Sequence, residues 1–265
     1  MKWLDVNGAA LRCELAGADG PTVVLIHEAG GSLESWDAVA ASLRSGFRVL
    51  RYDQRGFGMS ERTRDLSLPT MVNDLIALLD ALGINAPCHL VGTAIGGSIA
   101  LAAAGLYPHR VASVVATSPV TGGLPEAAHG TLRARAELVE TQGMRAVTDA
   151  SLLRSWPPEL RQDEDNFEQY RGRYLANDPG SFAALTRAFL RIELGQLQAR
   201  IQCPALLVGC RRDLVKPSRE CAETADRLPR GRYAELDTGH FAGVQAPAEL
   251  SALLVDFLES IHAST

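Results

Sequence analysis

The apolar residues of this chain follow two rhythms, and the switches between them mark its elements. Lys2–Val6 and residues 11–16 alternate apolar and polar positions around Asn7-Gly8, the signature of a hairpin. Residues 22–27 read Thr-Val-Val-Leu-Ile-His, a nearly continuous apolar run that predicts a strand covered on both faces. Residues 47–52, 88–91, 111–116, 204–210 and 233–236 predict further short strands. Between them the period lengthens. Residues 33–43 place Trp36, Val39 and Leu43 on one helical face, residues 69–82 stop at Gly83, Ile95–Leu106 is helix-like, and residues 248–262 close the chain. This alternation predicts an α/β fold, a mostly parallel sheet wrapped by helices.

From about residue 121 to 200 the strand rhythm is absent. The stretch is rich in Arg, Glu and Gln and carries helical periods over 132–141, 144–152, 165–177 and 181–192. The expected organisation is a core made of residues 1–120 and 201–265, with residues 121–200 inserted as a helical lid. Such an insertion is expected over the carboxyl ends of the strands, where open α/β sheets bind ligands.

Composition narrows the functional classes. At 265 residues and 46% hydrophobic content the chain suits one large domain with an insertion. A net charge of -5 gives no electrostatic footprint for nucleic acid. No apolar run approaches the ~20 residues that span a bilayer, so no membrane partner is expected. Residues 1–5 lack the apolar centre of a signal peptide. Five cysteines without paired spacing fit a reducing cytoplasm. His89, His109, His129 and His262 lack metal-ligand spacing, and no phosphate-cradling loop is evident. The expectation is therefore no metal, no cofactor and a small-molecule substrate as partner, with a homodimer left open.

The chemistry concentrates at three predicted strand ends. Leu90-Val91-Gly92-Thr93-Ala94-Ile95-Gly96-Gly97 has the strand–sharp turn–helix form that mounts a nucleophilic serine, with Gly at the positions two before and two after the centre. Gly92 and Gly96 remove the Cβ atoms that would collide there, and Gly97 lets the helix start close to the sheet. The centre is Ala94, which has no hydroxyl, and Thr93 is expected to point away from the site. Asp213 follows the strand at 204–210, and His240 follows the last strand in Asp237-Thr238-Gly239-His240-Phe241. The order of position 94, Asp213 and His240 is that of nucleophile, acid and histidine. Asp213 would orient the imidazole, and His240 would act as general base and then acid. The backbone N–H groups of Ile95 and Ala29 are the candidate oxyanion donors, worth ~3–4 kcal/mol each in a transition state. Asp53 and Arg55 read as a structural turn, His27 as the brace of its own loop, and Cys210 as a thiol without a base.

Taken together, His27-Glu28-Ala29-Gly30-Gly31, Asp53-Gln54-Arg55-Gly56-Phe57-Gly58-Met59-Ser60, Gly92–Gly97, Tyr107-Pro108-His109-Arg110-Val111, Asp213 and Gly239-His240-Phe241 make the chain resemble the α/β-hydrolase superfamily. Residues 135–143 and Asp178-Pro179-x-x-Phe182 carry a narrower likeness to 3-oxoadipate enol-lactonases and related lactone and ester hydrolases. The resemblance implies hydrolysis of a small lactone, ester or amide through a Ser-His-Asp acyl-enzyme. Two departures matter. Glu28 stands where the family's His-Gly-x-Gly usually has Gly; aimed inward, it would repel a developing oxyanion. It is expected to face a positive or protonated group or to meet a polar substrate, with Trp156 as a second substrate-binding candidate. The other departure is Ala94. The preferred explanation is an engineered serine-to-alanine substitution that leaves binding and removes turnover. The alternatives are a native Ala94 with a proton-abstracting His240–Asp213 dyad, as in a lyase or cofactor-free oxygenase, and a non-catalytic binder. The inserted block also carries Arg133, Arg135, Arg145, Arg154, Arg171, Arg173, Arg187 and Arg191. Most are expected on solvated faces, with one or two near Trp156 as candidates for a substrate carboxylate.

Overall fold

A computed structural model describes residues 1–262. Eight strands form one sheet: β1 (Lys2–Val6), β2 (Ala9–Gly17), β3 (Thr22–Ile26), β4 (Arg48–Tyr52), β5 (Cys88–Thr93), β6 (Val111–Thr117), β7 (Ala205–Cys210) and β8 (Gly231–Leu236). Their order is β1-β2-β4-β3-β5-β6-β7-β8. The hairpin pairs antiparallel with itself and with β4, and every other neighbouring pair is parallel.

The alternation of side chains along each strand divides the core between the two faces. Val24 and Ile26 of β3 join Leu90 of β5 and Val114 of β6 beneath α2 (Leu68–Ala81) and α3 (Ile95–Leu106). Val23 and Leu25 join Val91, Val115 and Val208 on the other face, covered by α1 (Asp37–Leu43) and α11 (Pro247–His262). All five β3 residues are buried, as the continuous apolar run predicts.

Between β6 and β7 the chain forms α4 (Glu126–Gln142), α5 (Arg145–Ser155), α6 (Glu164–Leu175), α7 (Pro179–Ala188) and the short α8 (Gly195–Gln198). This block docks on loops at the carboxyl ends of the strands. Asn177 Nδ2 donates to the Gly30 carbonyl at 2.8 Å, after β3, and Ser181 Oγ to that of Thr63 at 2.9 Å, after β4. The His240 N–H, in the loop after β8, donates to the Ser155 carbonyl at 3.0 Å.

Several boundaries differ from those expected. Residues 33–43 begin as a 3-10 turn, Leu33–Trp36, before α1. Residues 181–192 end as α7 at Ala188 and then tighten into a second 3-10 turn, Phe189–Arg191. Two helices are not evident in the apolar pattern, α9 (Ser218–Asp226) and α10 (Ala242–Gln245). In α9 only Cys221, Thr224 and Ala225 are buried, so small and polar residues conceal its inward face. Among the described residues no helix is long and apolar enough to cross a membrane.

The turn between β5 and α3 depends on the expected absence of side chains. A Cβ on Gly92 would overlap the Gly96 carbonyl carbon, and one on Gly96 would overlap the Ile26 main-chain oxygen. Neither neighbour is a flexible side chain. Gly96→Ala is expected to destabilise the protein by ~3 kcal/mol or more, because backbone must move to admit one methyl. Urea unfolding checks this; a loss within ~0.5 kcal/mol would show that the turn can yield.

Candidate active site

Ala94 sits between β5 and α3 at φ 52° and ψ -115°, in the positive-φ region that L residues avoid. Its N–H is held by the Thr117 carbonyl at 2.9 Å. Its methyl is buried, at 4% exposure. Thr93 is bonded through its hydroxyl to Thr117 Oγ1 at 2.7 Å, so it is committed to the neighbouring strand. Ile95 opens α3, where a first-turn N–H has no intrahelical partner.

A chain of main-chain bonds leads from this elbow across the sheet. Ser118 N–H, at the end of β6, donates to Val208 of β7 at 3.1 Å. Arg211 and Arg212 N–H, just past β7, donate to Leu236 and Thr238 at 2.9 and 3.0 Å. The loops carrying Ala94, Asp213 and His240 thus leave the same end of β5, β7 and β8, with β6 between the first two.

Asp213 and His240 meet directly. His240 Nδ1 lies 2.6 Å from Asp213 Oδ2. The other carboxylate oxygen accepts the N–H groups of Val215 and Lys216 at 2.7 and 2.9 Å. Burial opposes ionisation of Asp213. The charge and hydrogen bond of His240 and the Lys216 amide outweigh it, and the carboxyl group titrates below its ordinary range. With Nδ1 engaged, Nε2 is the ring nitrogen left for proton transfer. His240 is 7% exposed, enclosed by Phe241 and by Ser155 of the helical block.

The loop after β3 is braced from both sides. His27 Nδ1 bonds the Glu28 carbonyl at 2.7 Å while its Nε2 accepts the Gln54 N–H at 2.9 Å. Asn177 holds Gly30 from above. Ala29, the candidate oxyanion donor, lies between these braces and is partly exposed. A cavity of about 300 Å³ opens beside the loop, lined by Gly31, Ser32, Met59, Arg62, Arg173 and Asn177, among others.

Glu28 is buried, and its Oε1 accepts hydroxyls from Ser35 and Tyr170, both at 2.8 Å. The Tyr170 phenol is pushed well above its usual titration range, by burial first and then by the Glu28 charge. It therefore stays a protonated donor, and Glu28 faces the protonated group that its position called for. Trp156 lies inside the helical block. Its Nε1 donates to Leu160 at 2.8 Å, and its ring packs on Phe167 and Tyr170 at 5.4 and 5.5 Å. It supports Tyr170, which packs in turn on Phe241 at 4.9 Å.

The arginines nearest Trp156 are already engaged by main-chain oxygens, Arg161 by Trp156 at 2.9 Å and Arg154 by Leu214 at 2.9 Å. Asp53 and Arg55 take structural parts. Asp53 pairs with Arg12 at 2.7 Å and caps Leu33 and Met59, and Arg55 pairs with Asp74 at 2.7 Å. Tyr170, Ser35 and Ser118 join the site's surroundings without a sequence signal of their own. Tyr170 reads as one more apolar position of an amphipathic helix.

Two expectations follow from this geometry. Ala94→Gly is expected to raise stability by ~1 kcal/mol in urea unfolding, because relief of positive-φ strain, worth ~1–3 kcal/mol, exceeds the entropy cost of glycine. A loss instead would mean that the turn is unstrained. For Asp213 the folded pKa lies below the unfolded value of ~3.9, so its stabilisation is complete above that value and is lost as pH falls through the folded pKa. The stability difference between the chain and Asp213→Asn should shrink as pH falls below about 4. A difference that grows on acidification would contradict the depressed pKa.

The chain matches the α/β-hydrolase fold family over residues 21–247. RutD of Pseudomonas savastanoi pv. phaseolicola, a relative named for carbamate hydrolysis, is 31% identical over 94% of this chain and 97% of its own length. The 3-oxoadipate enol-lactonase 1 of Acinetobacter baylyi is 26% identical over 97% of this chain and 96% of its own. The crystal structure of the enol-lactonase from Burkholderia xenovorans superposes with a TM-score of 0.92 at 28% identity, over 97% of this chain and 100% of that one.

Proposed function

The chain belongs to the α/β-hydrolase fold family, and on that premise we propose that its site is built to hydrolyse a small ester, lactone or amide and lacks only the nucleophilic oxygen. One observation carries the reading: a buried His240–Asp213 pair at 2.6 Å, at the same end of the sheet as an elbow that keeps its positive φ at Ala94. The relatives named for carbamate and enol-lactone hydrolysis point to the same acyl chemistry.

A serine at position 94 would carry its hydroxyl out from where the Ala94 methyl now sits. His240 Nε2 would take its proton as the oxygen attacks the acyl carbon, and Asp213 would stabilise the imidazolium. The N–H groups of Ile95 and Ala29 would receive the tetrahedral oxyanion. His240 would then return the proton to the leaving group, and water would release the acyl enzyme by the same route. With Ala94 in place, the chain binds the acyl compound and stops there. The block from residue 121 to 200 serves as the lid that excludes water. Five free cysteines support a reducing, cytoplasmic setting.

The strain at Ala94 favours a replaced serine over a site designed around alanine. A methyl gains nothing from φ 52°, whereas an elbow needs that angle to present a nucleophile. Ala94→Ser is expected to raise hydrolysis of short activated esters and enol-lactones about 10³-fold or more, and a further His240→Ala to abolish the gain. Spectrophotometric assay of the three proteins checks this. An inactive Ala94→Ser protein that folds normally would refute the acyl-enzyme reading.

A further inference from the structure

We propose that Tyr170, on α6 of the helical block, is a positioning residue for the oxyanion donor Ala29, acting through Glu28, so that the oxyanion hole is complete only while the block is docked. The inference rests on the acyl-hydrolase reading for what the hole receives, and on the loop's own bonds for how it is held.

The Ala29 N–H shares a peptide with the Glu28 carbonyl, and in a trans peptide the two groups point opposite ways. Whatever holds residue 28 therefore aims the donor at residue 29. The Glu28 carbonyl accepts the Gly31 N–H at 3.1 Å and meets His27 Nδ1 at 2.7 Å. His27 Nε2 already accepts the Gln54 N–H at 2.9 Å, so the ring proton sits on Nδ1 and is donated to that carbonyl. The core thus fixes one side of residue 28.

The carboxylate fixes the other side. The loop curls round it, since a Cβ on Gly31 would overlap Glu28 Oε1. Ser35, in the 3-10 turn that continues the loop, donates to the same oxygen at 2.8 Å. Both groups belong to the loop itself, so neither ties it to anything else. Tyr170 does, through a hydroxyl 2.8 Å from Oε1 and 142 residues away in sequence. Among the described residues no other donor reaches the Glu28 carboxylate.

Tyr170 also bears on the second half of the site. Its ring packs on Phe241 at 4.9 Å, and the Phe241 ring packs on that of His240 at 5.3 Å. Trp156 and Tyr174 enclose it within the block at 5.5 and 6.3 Å. One side chain of the block therefore touches the loop of the base with its ring and the loop of the oxyanion donor with its hydroxyl. Loss of that hydroxyl leaves a buried carboxylate, one residue before Ala29, with Ser35 alone. A carboxylate so released turns toward other donors and carries the following peptide with it. Its charge then opposes the oxyanion that the hole is built to receive.

Tyr170→Phe keeps the ring and removes the bond, and two measurements read the result. Hydrogen exchange by mass spectrometry uses the chain as it stands. Exchange in residues 30–36 is expected to rise about fivefold or more in Tyr170→Phe, with α4 and α7 unchanged. Unchanged exchange in residues 30–36, or an equal rise throughout the block, overturns the proposal. The second measurement is hydrolysis of a short activated ester by the Ala94→Ser protein. Adding Tyr170→Phe should lower kcat about tenfold and move KM less than about twofold, the pattern of lost transition-state stabilisation. With Glu28→Gln also present, Tyr170→Phe should cost less than about threefold, because no charge remains to be held. No loss of kcat, a loss confined to KM, or an equal loss with and without the carboxylate overturns the proposal. Thermal melting establishes folding; should Tyr170→Phe fail to fold, Glu28→Ala removes the same bond from the other side, and unchanged exchange in residues 30–36 then counts against the proposal. An inactive Ala94→Ser protein refutes the acyl-enzyme reading instead, and the exchange measurement, which needs no turnover, decides this one.

Discussion

The close approach of a helix to the sheet is the constraint on which this molecule turns. α3 begins within touching distance of β3, with Gly96 against the Ile26 carbonyl and Gly92 folded onto Gly96. Only a backbone with positive φ at position 94 can make that reversal in so few residues. The consequence is a residue lifted out at the carboxyl end of the sheet, with the first N–H of a helix directly behind it. Gly96 also lies against the His27 main-chain oxygen, so α3 begins beside the start of the loop after β3. Whatever chemistry the site performs, its geometry is inherited from two missing Cβ atoms.

The loop opposite the elbow solves a different problem. Glu28 introduces a buried carboxylate where a negative charge would be least welcome. It is balanced by hydroxyls rather than by a cation, one from the core at Ser35 and one from the helical block at Tyr170. This arrangement ties the block to the loop, since removing Tyr170 leaves the buried Oε1 with Ser35 alone. Together with the Asn177 bond to Gly30 and the His27 bridge to Gln54, it holds Ala29 from several directions. Rigid presentation of one N–H is what oxyanion stabilisation requires. A departure from the family pattern at position 28 is thus matched by a contact between core and insertion.

How far the sequence discloses this structure depends on the kind of force at work. Strands buried on both faces announce themselves through continuous apolar runs, as in β3 and β7, and the elbow through glycine spacing. Asp213 and His240 can be found because each follows a strand that can be read. Contacts made by side chains far apart in the chain leave no such mark. Tyr170 and Glu28 are 142 residues apart, and each looks ordinary where it stands. Trp156 reads in the sequence as a substrate-binding candidate, and in the fold its ring packs on Tyr170 and Phe167. The helix α9 escapes notice for the opposite reason: its buried face is a cysteine, a threonine and an alanine.

The energetics of the site argue that its protons matter. Holding Asp213 ionised while burying it incurs a desolvation penalty that hydrogen bonds from His240, Val215 and Lys216 must offset. A pocket that merely held a neutral ligand would lower its own cost by replacing the pair with apolar residues of similar volume, which is often neutral or stabilising. The strain at Ala94 runs the same way, since glycine there would relieve it. Two local costs, at the carboxyl ends of β5 and β7, make sense together if a nucleophile at position 94 and a base at position 240 were built to meet at one acyl carbon. A methyl group at 94 keeps both costs and forgoes the bond that would justify them.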